Sequence, residues 1–239
     1  MDKPLLNVEG YSSRPLLYDV FCGAGGCSMG YYRAGFRVIG VDNNPKCLKH
    51  YPFESICMDA MEFLDRYIAG EFERAEAFHA SPPCQGYSTT KVFSSNVHPK
   101  VFSSNVHPKL LAQTRGKLIV LGKPYIIENV MNAKYKKGKL EEGLKAGWLC
   151  GTMFGLPFYR HRLFETDFIW FQPGHPTHRL ENAGSYGATD SNGKSVKSGS
   201  MTLRHNLKIV RQSAAKHFQT EWMDGDELSE AIPSIYTEF

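Results

Sequence analysis

The sequence predicts an α/β fold: a mostly parallel sheet with helices on both faces, plus a small irregular insert. Three observations predict it. Short apolar runs alternate with helical stretches over the first two thirds of the chain, and the strand candidates end in glycine, proline or acidic turns. The texture then changes, with residues 168–204 rich in Gly, Ser, Thr, Asn and His and nearly free of periodicity. With 239 residues, 42% of them hydrophobic, the chain can build one substantial core.

Residues 1–15 read as a polar lead-in. Leu16–Phe21 is a strand, Cys22–Gly26 a glycine turn, and a helix runs on through Tyr32. Arg37–Val41 is a second strand, and Pro45 opens a second helix. Ser55–Cys57 is a short third strand with a helix from about Asp59. Ala75–Ala80 is a fourth strand, ending at Ser81-Pro82-Pro83. Leu110–Leu121 suits a helix, Pro124–Glu128 a fifth strand with a continuous apolar stretch, and Arg160–Thr166 a further strand. A helix is predicted from His205 to Phe218, and Asp226–Tyr236 reads as a short helix, Pro233 and the start of another. The chain therefore divides into a core at 1–166, a small insert at 167–204, and C-terminal helices at 205–239 that return to the core. Residues 92–100, VFSSNVHPK, recur identically at 101–109, too short a copy for a solenoid unit and suited to a surface loop.

The formal net charge is only +4, but it is unevenly placed. Residues 91–150 are net +8 and 158–220 net +5, whereas 53–78 are net −5 and 221–239 net −6. A cleft lined by the basic stretches would attract a polyanion; the same pattern also suits ordinary solvated lysines. The six cysteines form no C-x-x-C pair, and no Cys/His cluster has zinc-ligand spacing, so neither a disulfide framework nor a metal site is expected. No apolar run approaches the roughly 20 residues of a membrane span, which predicts a soluble, intracellular protein.

The first strand-to-helix turn is Asp19-Val20-Phe21-Cys22-Gly23-Ala24-Gly25-Gly26. Glycines there let the backbone approach a ligand, with the N–H groups of a helix start facing it. Asp42 ends the next strand, where a carboxylate suits the two hydroxyls of an adenosine ribose; Asp59, after the third strand, suits the adenine amino group, and Phe21 its face. A turn that merely packs strand on helix explains the glycines equally well. The spacing lacks the third glycine of G-x-G-x-x-G, which disfavours a dinucleotide.

Cys84 follows two stiffening prolines in a polar turn, where an exposed thiol has little use unless it reacts. Glu128 puts a charge at the end of a buried apolar strand, so it needs a reason: either an acid that holds its proton near neutral pH, or a capping or ion-paired carboxylate. Arg160 and Arg162 bring two guanidinium groups to a further strand.

Together DVFCGAGG, VDNNP, SPPCQGYS, ENV and RHRLFE, in this order from Asp19 to Glu165, resemble the DNA cytosine-5 methyltransferases. The resemblance implies a Rossmann-like methyltransferase fold, S-adenosylmethionine as cofactor, double-stranded DNA as partner and a target cytosine flipped out of the stack. It implies Cys84 as nucleophile at C6, Glu128 as the N3 contact supported by Asn129, and Arg162 as the O2 contact with Arg160 nearby. Phe21, Gly23, Ala24, Gly25, Gly26, Asp42, Asn43 and Asp59 match cofactor positions, and Pro83 lies beside the sulfonium. The compact build is similar to phage-borne members; a monomer in the cytoplasm and a cognate restriction endonuclease are compatible with it. Departures are the duplication in the loop after Cys84, a short target-recognition region, and a closing motif represented only loosely by residues 231–237. A tRNA cytosine-5 methyltransferase and a catalytically impaired nucleic-acid-binding relative remain as alternatives.

Overall fold

The computed structural model describes residues 4–83, 110–131, 135–136, 139–140, 145–156, 160–177 and 220–239. Cys84, the duplicated stretch, residues 178–204 of the insert and the helix predicted over His205–Phe218 lie outside the described residues.

The elements run β1 (Leu16–Val20), α1 (Gly26–Arg33), β2 (Arg37–Asp42), α2 (Pro45–Leu48), β3 (Glu54–Cys57), α3 (Ala60–Ile68), β4 (Ala77–Ala80), α4 (Leu111–Leu121) and β5 (Tyr125–Asn129). A small hairpin, β6 (Tyr135–Lys136) with β7 (Lys139–Leu140), precedes β8 (Ala146–Leu149), β9 (Arg162–Thr166), α5 (Gly225–Glu230) and α6 (Ile235–Glu238). Among the described residues one sheet of seven strands has the order β3-β2-β1-β4-β5-β9-β8. β1 to β5 pair in parallel; β9 runs antiparallel to both β5 and β8.

β1 shows how the sequence builds two layers. All five of its residues are buried, and side chains alternate between the faces of a strand. Leu16, Tyr18 and Val20 enter one core with Phe63 and Leu64 of α3, Phe78 of β4 and Leu118 of α4. Leu17 enters the other with Val38, Tyr51, Phe53, Phe164 and Tyr236. Each such side chain contributes roughly 1.5–3 kcal/mol by burial. The helices start where the sequence supplies caps. Asn44 accepts from Lys46 N with Pro45 in the first turn, and Asp59 accepts from Met61 N and Glu62 N. α4 stops at Gly122, whose φ of 61° is left-handed. Arg115 of α4 holds Glu165 of β9 in a two-pronged ion pair of 2.6 and 2.8 Å, which fastens that helix to the antiparallel strand.

The C-terminal segment packs directly on α1. A Cβ on Gly30 would overlap Ser234 O and Thr237 Oγ1, and one on Gly26 would stand 2.6 Å from Ile232 O. Thr237 Oγ1 donates to Cys27 O at 2.8 Å, and Tyr236 Oη to Arg160 O at 2.7 Å. No helix of the described residues is long and apolar enough to cross a membrane.

Candidate active site

Strand order reverses between β1 and β4, so their crossovers diverge and leave a crevice beyond the carboxyl ends of the strands. Because β9 is antiparallel, its amino end reaches that same edge: Asn129 lies opposite Leu163 and Glu128 opposite Phe164. Topology alone thus brings the glycine turn, the β4 exit, Glu128 and Arg162 to one side of the sheet.

At the β1 exit the chain turns sharply. Phe21 takes a left-handed φ of 62°, which costs roughly 1–2 kcal/mol in a bulky residue. Its N–H donates to Val41 O at 2.8 Å, and the ring packs against the α3-side core. Gly23, at φ 52°, donates its N–H to Asp42 Oδ2 at 3.0 Å, and a Cβ there would meet nothing within 4 Å. Gly25 caps α1 at φ 95°, but its open face is filled by the Tyr51 ring, 3.0 Å from a would-be Cβ. Of the glycines in this turn, Gly23 faces open space, while Gly25 and Gly26 are explained by packing. Asp42 Oδ1 accepts from Asn44 N at 2.8 Å, so the carboxylate braces both turns and keeps lone pairs for a ligand. Asn43 and Asp59 are exposed, and Asp59 caps α3 with one oxygen. Trp222 Nε1 donates to Ala24 O at 2.8 Å, and with Met223 and Leu228 it walls the turn on one side.

At the β4 and β5 exits the polar groups are buried instead. Asn129 Nδ2 donates to Pro82 O at 2.9 Å, which pins the proline pair that leads into residue 84. Glu128 is 5% exposed, and its Oε1 lies 3.1 Å from Arg162 Nε. Burial raises the Glu128 carboxyl above the ordinary 4.5, against the opposite pull of Arg162, the Ser81 hydroxyl and Arg160. Arg160 is also buried, and Arg162 Nη1 donates to His161 O at 2.9 Å. Behind Glu128 runs a chain of hydrogen bonds. Tyr31 Oη lies 2.7 Å from His79 Nδ1, His79 Nε2 lies 2.9 Å from Ser81 Oγ, and the Ser81 hydroxyl pulls the Glu128 carboxyl down. Burial pushes His79 down to about 3, so its ring is neutral and one nitrogen donates while the other accepts. A phenol donating to Nδ1 leaves Nε2–H to donate to Ser81.

Asp19 sits on β1 between the two groups of residues. It is 1% exposed, accepts from Ser28 Oγ, and is pushed up to about 7, first by burial; Asp42 and Glu128 add like-charge repulsion. Ser28 Oγ also lies 2.7 Å from Tyr51 Oη.

The sequence-predicted residues thus fall into two sets. Asp42 is bonded to Gly23, and Glu128, Arg162 and Arg160 interact at the other exit with Asn129 and Pro83 beside them. The sequence reading missed Tyr31, His79, Ser28, Asp19 as a titrating group, and Trp222. His79 and Asp19 carry the same signal that singled out Glu128, a polar residue within an apolar strand; Trp222 carries none. An apolar groove of about 350 Å³ beside α1 and α6, lined by Phe36, Tyr125, Phe164, Trp170 and Phe239, contains no predicted site residue.

A seven-stranded sheet of this order, with the glycine turn and Asp42 at the exits of β1 and β2, defines a mixed α/β, Rossmann-like fold. Residues 17–98 match the C-5 cytosine-specific DNA methylase family, which confirms over that stretch the resemblance read from the motifs. No curated protein sequence matches the chain. Among solved structures it is similar to an E. coli prophage-encoded DNA modification methyltransferase, with 22% identity, a TM-score of 0.47, and coverage of 64% of this chain and 46% of that one. It is also similar to the S. pombe Dnmt2 methyltransferase, at 18% identity and TM-score 0.44, covering 66% and 53%. An Agrobacterium tumefaciens SAM-dependent methyltransferase matches at 18% identity and TM-score 0.36, covering 68% and 58%. The match spans about half the length of these chains.

Proposed function

We propose that the chain transfers a methyl group from S-adenosylmethionine to carbon 5 of a flipped-out cytosine in double-stranded DNA, through a covalent bond between Cys84 and C6. One observation carries this reading: a buried carboxyl, Glu128, raised toward its protonated form and paired with Arg162, stands at the strand exits, where its neighbour Asn129 bonds Pro82, two residues before Cys84 in the sequence.

The residues at the glycine turn fit the cofactor. Gly23 leaves its backbone open to a ligand, and Asp42 keeps lone pairs for the ribose hydroxyls. Phe21, Ala24, Asn43 and Asp59 would line the adenosine, and Pro83 the sulfonium side. S-adenosylmethionine, when bound, supplies a methyl group on a positively charged sulfur.

Cytosine C5 is a weak nucleophile. The Cys84 thiolate adds to C6, and the electron pair of the C5–C6 double bond then makes C5 enamine-like, provided N3 carries a proton. Glu128 supplies that proton because burial keeps its carboxyl protonated further toward neutral pH than an exposed glutamic acid. Asn129 holds the approach to Cys84, and Arg162, with Arg160 behind it, donates to the O2 oxygen as charge flows into the ring. After methyl transfer, C5 gives up its proton to a base, the thiolate leaves C6, N3 returns its proton to Glu128, and the aromatic ring is restored.

A duplex containing 5-fluorocytosine tests this, because fluorine cannot leave as the C5 proton does. With S-adenosylmethionine present, the protein should become covalently attached to the duplex through residue 84, and Cys84→Ala should not. Absence of the adduct in protein that binds the cofactor would overturn the covalent mechanism. Preferential methyl transfer to tRNA over duplex DNA would move the substrate to RNA.

A further inference from the structure

We propose that Cys150, His161 and His175 form a zinc site that clamps the base-contacting edge of the sheet. The sequence gives no sign of it, since the three residues are spaced too far apart for a recognisable zinc motif. Folding brings them together. Cys150 immediately follows β8, His161 immediately precedes β9, and His175 lies on the extended segment after β9. Their ligating atoms all lie within 4.8 Å of one another.

The distances suit zinc. Two imidazole nitrogens on a tetrahedral zinc at Zn–N of about 2.0–2.1 Å stand about 3.3 Å apart. His161 Nε2 and His175 Nε2 are 3.4 Å apart. With Zn–S of about 2.3 Å, each nitrogen should stand about 3.5 Å from the sulfur, so rotation of thiol and rings has at most about 1.3 Å to close. One thiolate and two neutral imidazoles form a donor set that zinc favours, with the fourth position left to water.

The surroundings support a built site. Cys150 is fully buried, and its Sγ lies 3.2 Å from Thr152 Oγ1, which can donate to a thiolate. The Trp148 ring packs against both imidazoles, with centroids 5.3 Å from His161 and 4.7 Å from His175. The segment carrying His175 is docked independently: Trp148 N donates to Gln172 Oε1 at 2.9 Å, and Trp170 packs on Gly147. A second group, His50, Asp224 and Glu227, is explained without a metal, because Asp224 and Glu227 exchange backbone-to-side-chain hydrogen bonds at the start of α5.

A zinc ion here would tie together β8, β9 and the segment leading toward residue 178. His161 lies between Arg160 and Arg162, so the ion would also fix the approach from which both arginines reach the strand exits. Its role is to position them; it takes no part in methyl transfer, and its presence does not depend on the activity proposed above.

The test is metal binding by the whole chain after chelator treatment. Zinc should bind at one equivalent and raise the thermal midpoint. Cobalt in its place should show the charge-transfer absorption of a thiolate ligand. His175→Gln, at a half-buried position, should weaken zinc binding more than the roughly 10–100-fold that follows loss of an outer-shell partner. Cys150→Ser should abolish the cobalt–thiolate band. If Cys150→Ser fails to fold, the His175→Gln titration still decides. Failure of the wild-type chain to bind zinc, or affinity and spectrum unchanged in both variants, would overturn the site and leave a histidine–histidine hydrogen bond in its place.

Discussion

Along β1, β2 and β3 the polar groups at the strand exits stay near solvent: Asp42 is half-buried, and Asn43 and Asp59 are exposed. Along β4, β5 and β9 they are inside, with Glu128 at 5% and Arg160 at 3% exposure. One sheet edge therefore handles charge in two ways. A ligand that arrives and leaves with its own charge needs open turns and backbone donors, which Gly23 and Asp42 provide. A carboxyl that keeps its proton to higher pH than usual needs a dry pocket, because desolvation opposes the ion pair that would strip the proton away. Arg162 alone would hold Glu128 ionised; burial is what lifts it.

Asp19, at the seam, offers the largest measurable effect. Its carboxyl rises from 3.8 to about 7 on folding, so the folded state binds that proton more tightly than the unfolded chain does. The stability it confers is complete below about pH 4, is lost as pH rises toward about 7, and changes no further above that. The span is about 4 kcal/mol at 1.36 kcal/mol per unit. Urea unfolding of Asp19→Asn between pH 4 and 8 should show that slope gone, whatever its offset. An unchanged slope would place the titration on another group and weaken the contrast between the two sides.

Next in size is Glu128→Gln, which should lower the rate by about 10²-fold or more while leaving cofactor affinity intact. In the wild type, the rate should fall as pH rises through the raised Glu128 value, later than for an exposed glutamic acid, because the protonated form is the active one. A loss confined to stability would make Glu128 a structural ion-pair partner and remove the distinction drawn for β5.

The glycines sharpen the other side. Gly26→Ala should destabilise by about 1–3 kcal/mol through overpacking against Ile232 O and leave cofactor affinity nearly unchanged. Gly23→Ala should cost only about 1 kcal/mol in backbone strain but weaken cofactor binding, since its Cβ enters the open space. Calorimetric titration of both variants separates the two, and equal losses of affinity would mean that the whole turn acts as one surface.

What the sequence disclosed follows from this division. Strands β1, β2, β4 and β5 were legible because parallel strands covered on both faces read as largely apolar runs, whereas β3, at the exposed edge of the sheet, was legible by its place between two helices, and Glu128 was legible as the charge that breaks β5. β8, Ala-Gly-Trp-Leu, was not, since four residues with a glycine show no period, and the two-residue strands Tyr135–Lys136 and Lys139–Leu140 are too short to show one. The direction of β9 was invisible, because side-chain alternation is the same along either direction of a strand. Yet that direction delivers Arg160 and Arg162 to the edge. The coming together of Cys150, His161 and His175 depends on the same reversal, which no spacing rule encodes.

The smallest expected effect probes the wiring behind Glu128. The Ser81 hydroxyl stabilises the charged carboxylate and so lowers its value. In Ser81→Ala that support goes, and the high-pH fall in rate should move upward while the rate itself drops less than about 10-fold, since the acid and its burial remain. His79 Nε2 loses its partner at the same time, and a buried nitrogen without one costs about 1–3 kcal/mol of stability. Both signatures should therefore appear together in one variant. An upward pH shift without destabilisation would disconnect His79 from Ser81, and destabilisation without the shift would disconnect Ser81 from Glu128. The second result would show that the buried side holds Glu128 by desolvation and the two arginines without Ser81, and either result would leave the Tyr31–His79 pair serving only to fill and satisfy the core.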